Sequence, residues 1–305
     1  MASSDSSRPL MPSAAAMAQN PVGLEQLEMF AEGLDHPEGI AIAQDGRIFV
    51  GGEAGQIYLI EGDEPPREVA NTGGFVLGIA ADADRRLYVC DEARHCVLLV
   101  DPATGTVEEF ATGVAGRSIK TPNWPAFDTR GNLYVSDSGH WQARDGLIWV
   151  VRPGRRVEIF SEQSVDFPNG LAVAPDGSRL YAAESTPGRI VEIPIRDDGT
   201  AGPRRVLCEL GLVVPDGVAA AADGSLVFTS YRPDAVFRWS ADDGLDVLAA
   251  DPQGTVLNAP TNVAFTGVGL EVAVLPNLGG WHLVRGRLGV RGTPLPRPPA
   301  ELIEG

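Results

Sequence analysis

The chain has 305 residues, 44% of them hydrophobic, with 36 Gly, 24 Pro and only 7% aromatic residues. That is long enough for one large domain or two ordinary ones and apolar enough to bury a core. The formal net charge of −17 repels phosphate backbones and excludes nucleic acid as a partner, and no apolar run is long enough to cross a bilayer.

Residues 1–20 (MASSDSSRPLMPSAAAMAQN) are rich in Ser and Ala and lack strand or helix periodicity. They read as a disordered extension or an over-extended start. The Ala-Met-Ala stretch resembles a cleavage site, but it lacks the basic cluster and continuous apolar segment of a secretory signal. Three cysteines, Cys90, Cys96 and Cys208, are too few for a disulfide framework and suit a reducing, cytoplasmic compartment.

From residue 21 to 305 the sequence reads as one domain built on a repeat. HPEGIAIAQDGRIFVGGE, beginning at His36, recurs as FVLGIAADADRRLYVCDE, TPNWPAFDTRGNLYVSDS, FPNGLAVAPDGSRLYAAES, VPDGVAAAADGSLVFTSY and APTNVAFTGVGLEVAVLP. Aligned, the six copies place Glu38, Leu77, Asn123, Asn169, Asp216 and Thr261 at one position, at separations of 39, 46, 46, 47 and 45 residues. In the first unit GIAIA and RIFVG flank a Gln-Asp-Gly turn, and QIYLIEG and PREVAN follow as two more strands. VLLVD with VEEFAT, IWVVRPG with RVEIF, and IVEIPI with RRVLCEL repeat the scheme.

Four antiparallel strands per unit, six times, predict an all-β, six-bladed β-propeller. No unit holds the amphipathic stretch that a helical solenoid needs, and the units are too short for immunoglobulin-like domains. LEMFA at Leu27–Ala31 resembles the fourth strands VEEFA and VEIFS, whereas the last unit fades after GLEVAVL and WHLVR. The N-terminal strand is therefore expected to complete the last blade and close the ring.

The six aligned positions fall where the innermost strands begin, at one mouth of the central channel. Glu38, Asn123, Asn169 and Asp216 there supply oxygen donors, which are costly to bury unless paired, hydrogen-bonded or bound to metal. Such a set suits a hard divalent cation, Ca²⁺ first, with Mg²⁺, Mn²⁺ or Zn²⁺ as alternatives. The competing reading makes Asn169 and Asp216, each followed by Gly, turn formers. Loops between second and third strands crown the same mouth and bring His140, Trp141 and Tyr231 towards it. His140 reads as either a proton shuttle or a solvated loop residue.

HPEGIA, FPNGLAVAPDGSRLY, VPDGVAAAADGSL and APTNVAF resemble the motifs of the gluconolactonase/regucalcin (senescence marker protein) family, over roughly Glu28 to Pro298. The resemblance implies a six-bladed propeller with Glu38, Asn169 and Asp216 as metal ligands. It gives Asn123 the role of binding substrate, or of coordinating calcium as in related phosphotriesterases. At Thr121-Pro122-Asn123-Trp124-Pro125 the sequence departs from the family's Asn-Asp-Gly with an arginine two residues earlier. Lys120 or Arg117 could stand in for that arginine, and Trp124 is expected to add an apolar face to the pocket.

The resulting expectation is a metal-dependent hydrolase opening a small-molecule lactone or related ester, with Asp216 as ligand or proton acceptor. The alternatives are a metal-free binding propeller, a strictosidine-synthase-like propeller and a phosphotriester hydrolase. Oligomeric state is not legible in the sequence.

Overall fold

The computed structural model describes residues 22–305, so the expectation for residues 1–20 lies outside it. Six four-stranded antiparallel sheets follow one another as the blades of a propeller. Their innermost strands are Ile40–Ile42, Val76–Ala81, Pro122–Phe127, Pro168–Val173, Val214–Ala220 and Ala264–Thr266. Within blades 1 to 5 the strands pair in sequence order, so each blade is a meander.

Blade 6 takes its outer strand from the other end of the chain. Glu28–Phe30 pairs antiparallel with His282–Gly286, in the register Glu28 to Arg285, Met29 to Val284 and Phe30 to Leu283. The Arg285 guanidinium lies 4.7 Å from the centre of the Phe30 ring and donates twice to Glu28, at 2.8 and 2.7 Å. Closure by the N-terminal strand covers the edge that the last blade would otherwise leave open.

Period-two alternation assigns each strand's side chains to opposite faces of its blade, and every face is buried against a neighbour. In the second strand of blade 2, Leu87 and Val89 join the cluster shared with blade 1, and Tyr88 and Cys90 join the one shared with blade 3. Six apolar clusters result, one between each pair of adjacent blades, including blade 6 with blade 1. The blades therefore form a closed ring of apolar interfaces around the channel.

Two features are absent from the repeat. A short hairpin, Gly113–Val114 with Arg117–Ser118, precedes blade 3. The proline-rich C-terminus crosses the face opposite the aligned positions. Thr293 bonds Ala220, Arg297 donates to the Ile42 carbonyl at 2.6 Å, and Pro298 accepts from Ala83. A final helix, Ala300–Glu304, buries Ile303 in the cluster between blades 2 and 3 and pairs Glu304 with Arg86 and Arg155.

Candidate active site

At the channel mouth, blades 2 to 5 carry a β-bulge at the position the repeat aligns. In blade 3 Pro122 pairs with Asp137 and Trp124 with Ser136, leaving Asn123 unpaired. In blade 4 Asn169 and Gly170 lie between the pairs Pro168–Glu184 and Leu171–Ala182, and in blade 5 Asp216 and Gly217 lie between Pro215–Ser230 and Val218–Phe228. An extra residue bends a strand and re-aims a side chain, here towards the axis.

Hydroxyls of the second strands hold these bulges. Ser136 Oγ accepts from the Trp124 amide at 2.9 Å and donates to the Asn169 carbonyl at 2.7 Å. Thr229 Oγ1 accepts from the Gly217 amide at 3.1 Å. Ser138 and Ser185, equivalent in successive blades, donate to the carbonyls of Pro168 and Pro215 at 2.8 and 2.7 Å. Blade 3 thereby fixes the backbone that carries Asn169 in blade 4, and blade 4 that which carries Asp216 in blade 5.

Glu38, Asn123, Asn169 and Asp216 converge on one cavity of about 450 Å³. Asn123 and Asp216 are each 4% exposed and Asn169 is 7% exposed. Ser185 Oγ accepts from Asn169 Nδ2 at 3.4 Å, which leaves Asn169 Oδ1 free. Asn169 Oδ1 and Asp216 Oδ1 are fully buried and have no hydrogen-bond partner.

The electrostatics of this cluster are unbalanced. Desolvation, and then the charges of Glu92 and Glu53, raise the Glu38 carboxyl to about 8. Desolvation, followed by the charge of Glu38, holds Asp216 well above the carboxylate range, and the Asn169 amide only partly offsets this. Among the described residues the cavity's one cationic lining residue, Arg232, spends its guanidinium on Asp234 and the Tyr231 carbonyl, both at 2.7 Å. The buried Asp216, the partly exposed Glu38 and an orphaned amide oxygen, with no cation to match them among the described residues, fit a divalent ion bound by oxygen.

A second group, Asp35, His36 and Glu53, brings three ligand-type side chains together outside that cavity. Its members already satisfy one another. His36 Nδ1 lies 2.8 Å from Asp35 Oδ1 and 2.9 Å from Glu53 Oε2, and Asp35 Oδ2 accepts from Ala54 and Gln56.

Trp141 and Tyr231 line the mouth, 51% and 40% exposed, and Trp141 packs edge-on against Phe167 at 4.9 Å. Three other expected contacts are corrected by the structure. Trp124 does not wall this cavity; it follows the bulge and lines a smaller apolar channel of about 90 Å³ beneath it. Lys120 and His140 do not line the mouth either, because both bind Asp145 Oδ2, at 2.7 and 2.9 Å. Phe75, Phe167, Thr121, Ser185 and Glu92 line it instead. Phe75 and Phe167 sit two residues before aligned positions in the quoted repeats, so their place at the mouth was open to inference from spacing.

The fold is a six-bladed propeller with its candidate site at the channel mouth. The SMP-30/gluconolactonase/LRE-like region matches residues 36–274, and the chain belongs to that family. Its similarity to the adipocyte plasma membrane-associated protein of Danio rerio is 29% identity over 261 residues, 75% of this chain and 61% of the relative. With the 6-deoxy-6-sulfogluconolactonase of Pseudomonas putida it shares 31% identity over 192 residues, 58% of this chain and 61% of the relative. The chain thus spans about three fifths of the length of these curated relatives. A gluconolactonase structure from Xanthomonas campestris has the same fold, with a TM-score of 0.73 and 20% identity over 88% of this chain and 89% of that one.

Proposed function

We propose that this chain is a divalent-metal-dependent hydrolase that opens a lactone or related ester by attack of water at the channel mouth. The observation that carries this reading is the pair of orphaned buried oxygens, Asn169 Oδ1 and Asp216 Oδ1, beside a Glu38 carboxyl with no cationic partner. The lactonase named among the relatives supports the reaction class. Glu38, Asn169 and Asp216 would hold the ion, with Asn123 completing the set or orienting the substrate carbonyl. A divalent ion bound there supplies Lewis-acid polarisation of a carbonyl. Ca²⁺ suits an all-oxygen donor set best.

Metal analysis and calorimetry test this directly. One divalent ion per chain, calcium-dependent opening of a panel of lactones and loss of turnover on chelation are the expected results. A protein that binds no divalent ion but still retains small molecules at the mouth would instead be a metal-free binding propeller.

A further inference from the structure

Resting on that reading, we propose that Glu92 is the catalytic base: its carboxylate takes a proton from the attacking water and returns it to the departing ring oxygen. Glu92 lines the mouth cavity together with Glu38, Asn123, Asn169 and Asp216. It stands outside the ring of candidate ligands, on the loop after the second strand of blade 2. The ring position of that blade is the apolar Leu77, which also lines the cavity. Blade 2 thus contributes no ligand-type side chain to the ring, and its one carboxylate at the mouth is Glu92.

Among the described residues the Glu92 carboxylate enters no ion pair or side-chain hydrogen bond. Its backbone, by contrast, is fixed. The Glu92 amide donates to the Phe75 carbonyl at 2.9 Å, and its carbonyl accepts from His95 at 3.2 Å. Asp91 Oδ1 secures the same loop by accepting from the amides of Phe75 and Arg94, both at 3.0 Å. A positioned carboxylate without a partner, half-buried in the substrate cavity, has the access to water and substrate that a base requires.

Competing groups are otherwise engaged. Asp216 is nearly inaccessible and belongs to the ligand cluster, so ionisation there serves the ion. His140 and His36 are bonded to Asp145 and to Asp35 with Glu53, outside the cavity. Among the described residues the lining includes no histidine, lysine or cysteine. The charged groups acting on Glu92 from its own loop are His95 and Asp91, and Glu38, Asp216 and Arg232 line the same mouth, whereas Arg94 turns to the Thr72 carbonyl and Glu109. Burial raises the Glu92 carboxyl above its ordinary range; His95 opposes this and Asp91 adds to it.

The step balances without a further reactant. The water oxygen bonds to the lactone carbonyl carbon as Glu92 takes one of its protons. The tetrahedral intermediate collapses, the bond from carbonyl carbon to ring oxygen breaks, and Glu92 protonates the alkoxide. The hydroxy acid formed then ionises and releases a proton to solvent.

The test measures turnover of γ-nonalactone by the calcium-loaded full chain. Glu92→Gln is expected to lower kcat by about 10²–10⁴-fold, the range general base catalysis supplies, with KM and calcium affinity within about threefold of wild type. Glu92→Asp should retain intermediate activity. An active wild type with Glu92→Gln within about fivefold of it overturns the role of Glu92 alone. So does a loss of turnover that tracks a loss of calcium affinity. If the wild type opens no lactone in the panel, the hydrolase reading and the role of Glu92 fall together.

Discussion

Trp124 reaches across the central channel from blade 3 to Gly217 of blade 5: a Cβ on Gly217 would come within 2.9 Å of Trp124 Cη2. The indole therefore lies under the polar ring and forms a floor between the mouth and the smaller channel below. Four of the six aligned positions are followed by glycine, and in each case the absent side chain admits a neighbouring strand or its backbone. A Cβ on Gly39 would meet the Leu77 carbonyl at 1.9 Å, and one on Gly170 the Asp216 carbonyl at 2.4 Å.

Gly217→Ala is accordingly expected to destabilise the protein by about 1–3 kcal/mol, as overpacking does. Two of the three atoms its Cβ would meet are backbone, Asn262 Cα at 2.7 Å and the Thr261 carbonyl at 2.8 Å. Removing the indole as well should not restore stability for that reason. Trp124→Ala alone should cost about 2–4 kcal/mol, since the floor of the mouth would be left as a cavity. Urea denaturation of the two single variants and the double variant decides the matter. Recovery in the double variant would mean that the indole, and not the backbone, sets the fit at Gly217.

Much of this arrangement could be read from the repeat, because propeller blades impose one hydrophobic period and one turn pattern six times. The recurrence of Glu38, Asn123, Asn169 and Asp216 in one register located the mouth, and the likeness of LEMFA to other fourth strands located the closing strand. The bulges were not legible. An extra residue is recognised only against the strand it fails to match, so the direction of Trp124 could not be derived from alternation. Lys120 and His140 escaped for a similar reason, since Asp145 lies 25 residues beyond Lys120 and meets it only in the folded loop. The C-terminal segment has no periodicity, and its anchors, such as Arg86 to Glu304, are 218 residues apart.

The raised carboxyls at Glu38 and Asp216 make stability depend on pH in the metal-free protein. Each retains its proton in the folded state at pH values where the unfolded chain has released it. The folded state therefore binds more protons from about pH 4.5 upward, and stability must fall as pH rises towards the value of about 8 for Glu38. One retained proton gives a slope of roughly −1.4 kcal/mol per pH unit. A bound divalent ion requires the ionised carboxylates, so its affinity should increase with pH and its presence should flatten the slope. Melting curves with chelator and with calcium, between pH 5 and 8.5, test both signs. Glu38→Gln should be the more stable protein at pH 8 without metal and the weaker calcium binder. A chelated wild type whose stability does not fall faster with pH than that of Glu38→Gln would show that Glu38 is ionised in the metal-free fold.

The mouth also predicts which lactones enter it. Phe75, Leu77, Trp141, Phe167, Val214 and Tyr231 supply apolar surface, whereas the hydroxyl of Ser185 is already committed to the Pro215 carbonyl and the Asn169 amide. A sugar lactone brings several hydroxyls, and each one buried without a partner costs about 1–3 kcal/mol. An alkyl or aryl lactone brings none and gains contact with the aromatic wall. Alkyl and aryl lactones are therefore expected to exceed gluconolactone in kcat/KM. Trp141 is half-exposed and held against Phe167, so Trp141→Ala should remove substrate contact without disturbing the polar ring. That variant is expected to raise KM for γ-nonalactone by about 5–30-fold, or roughly 1–2 kcal/mol, with calcium affinity unchanged and little effect on gluconolactone. A wild-type preference for gluconolactone of tenfold or more, about 1.4 kcal/mol in transition-state binding, would mean that the aromatic wall does not select the substrate.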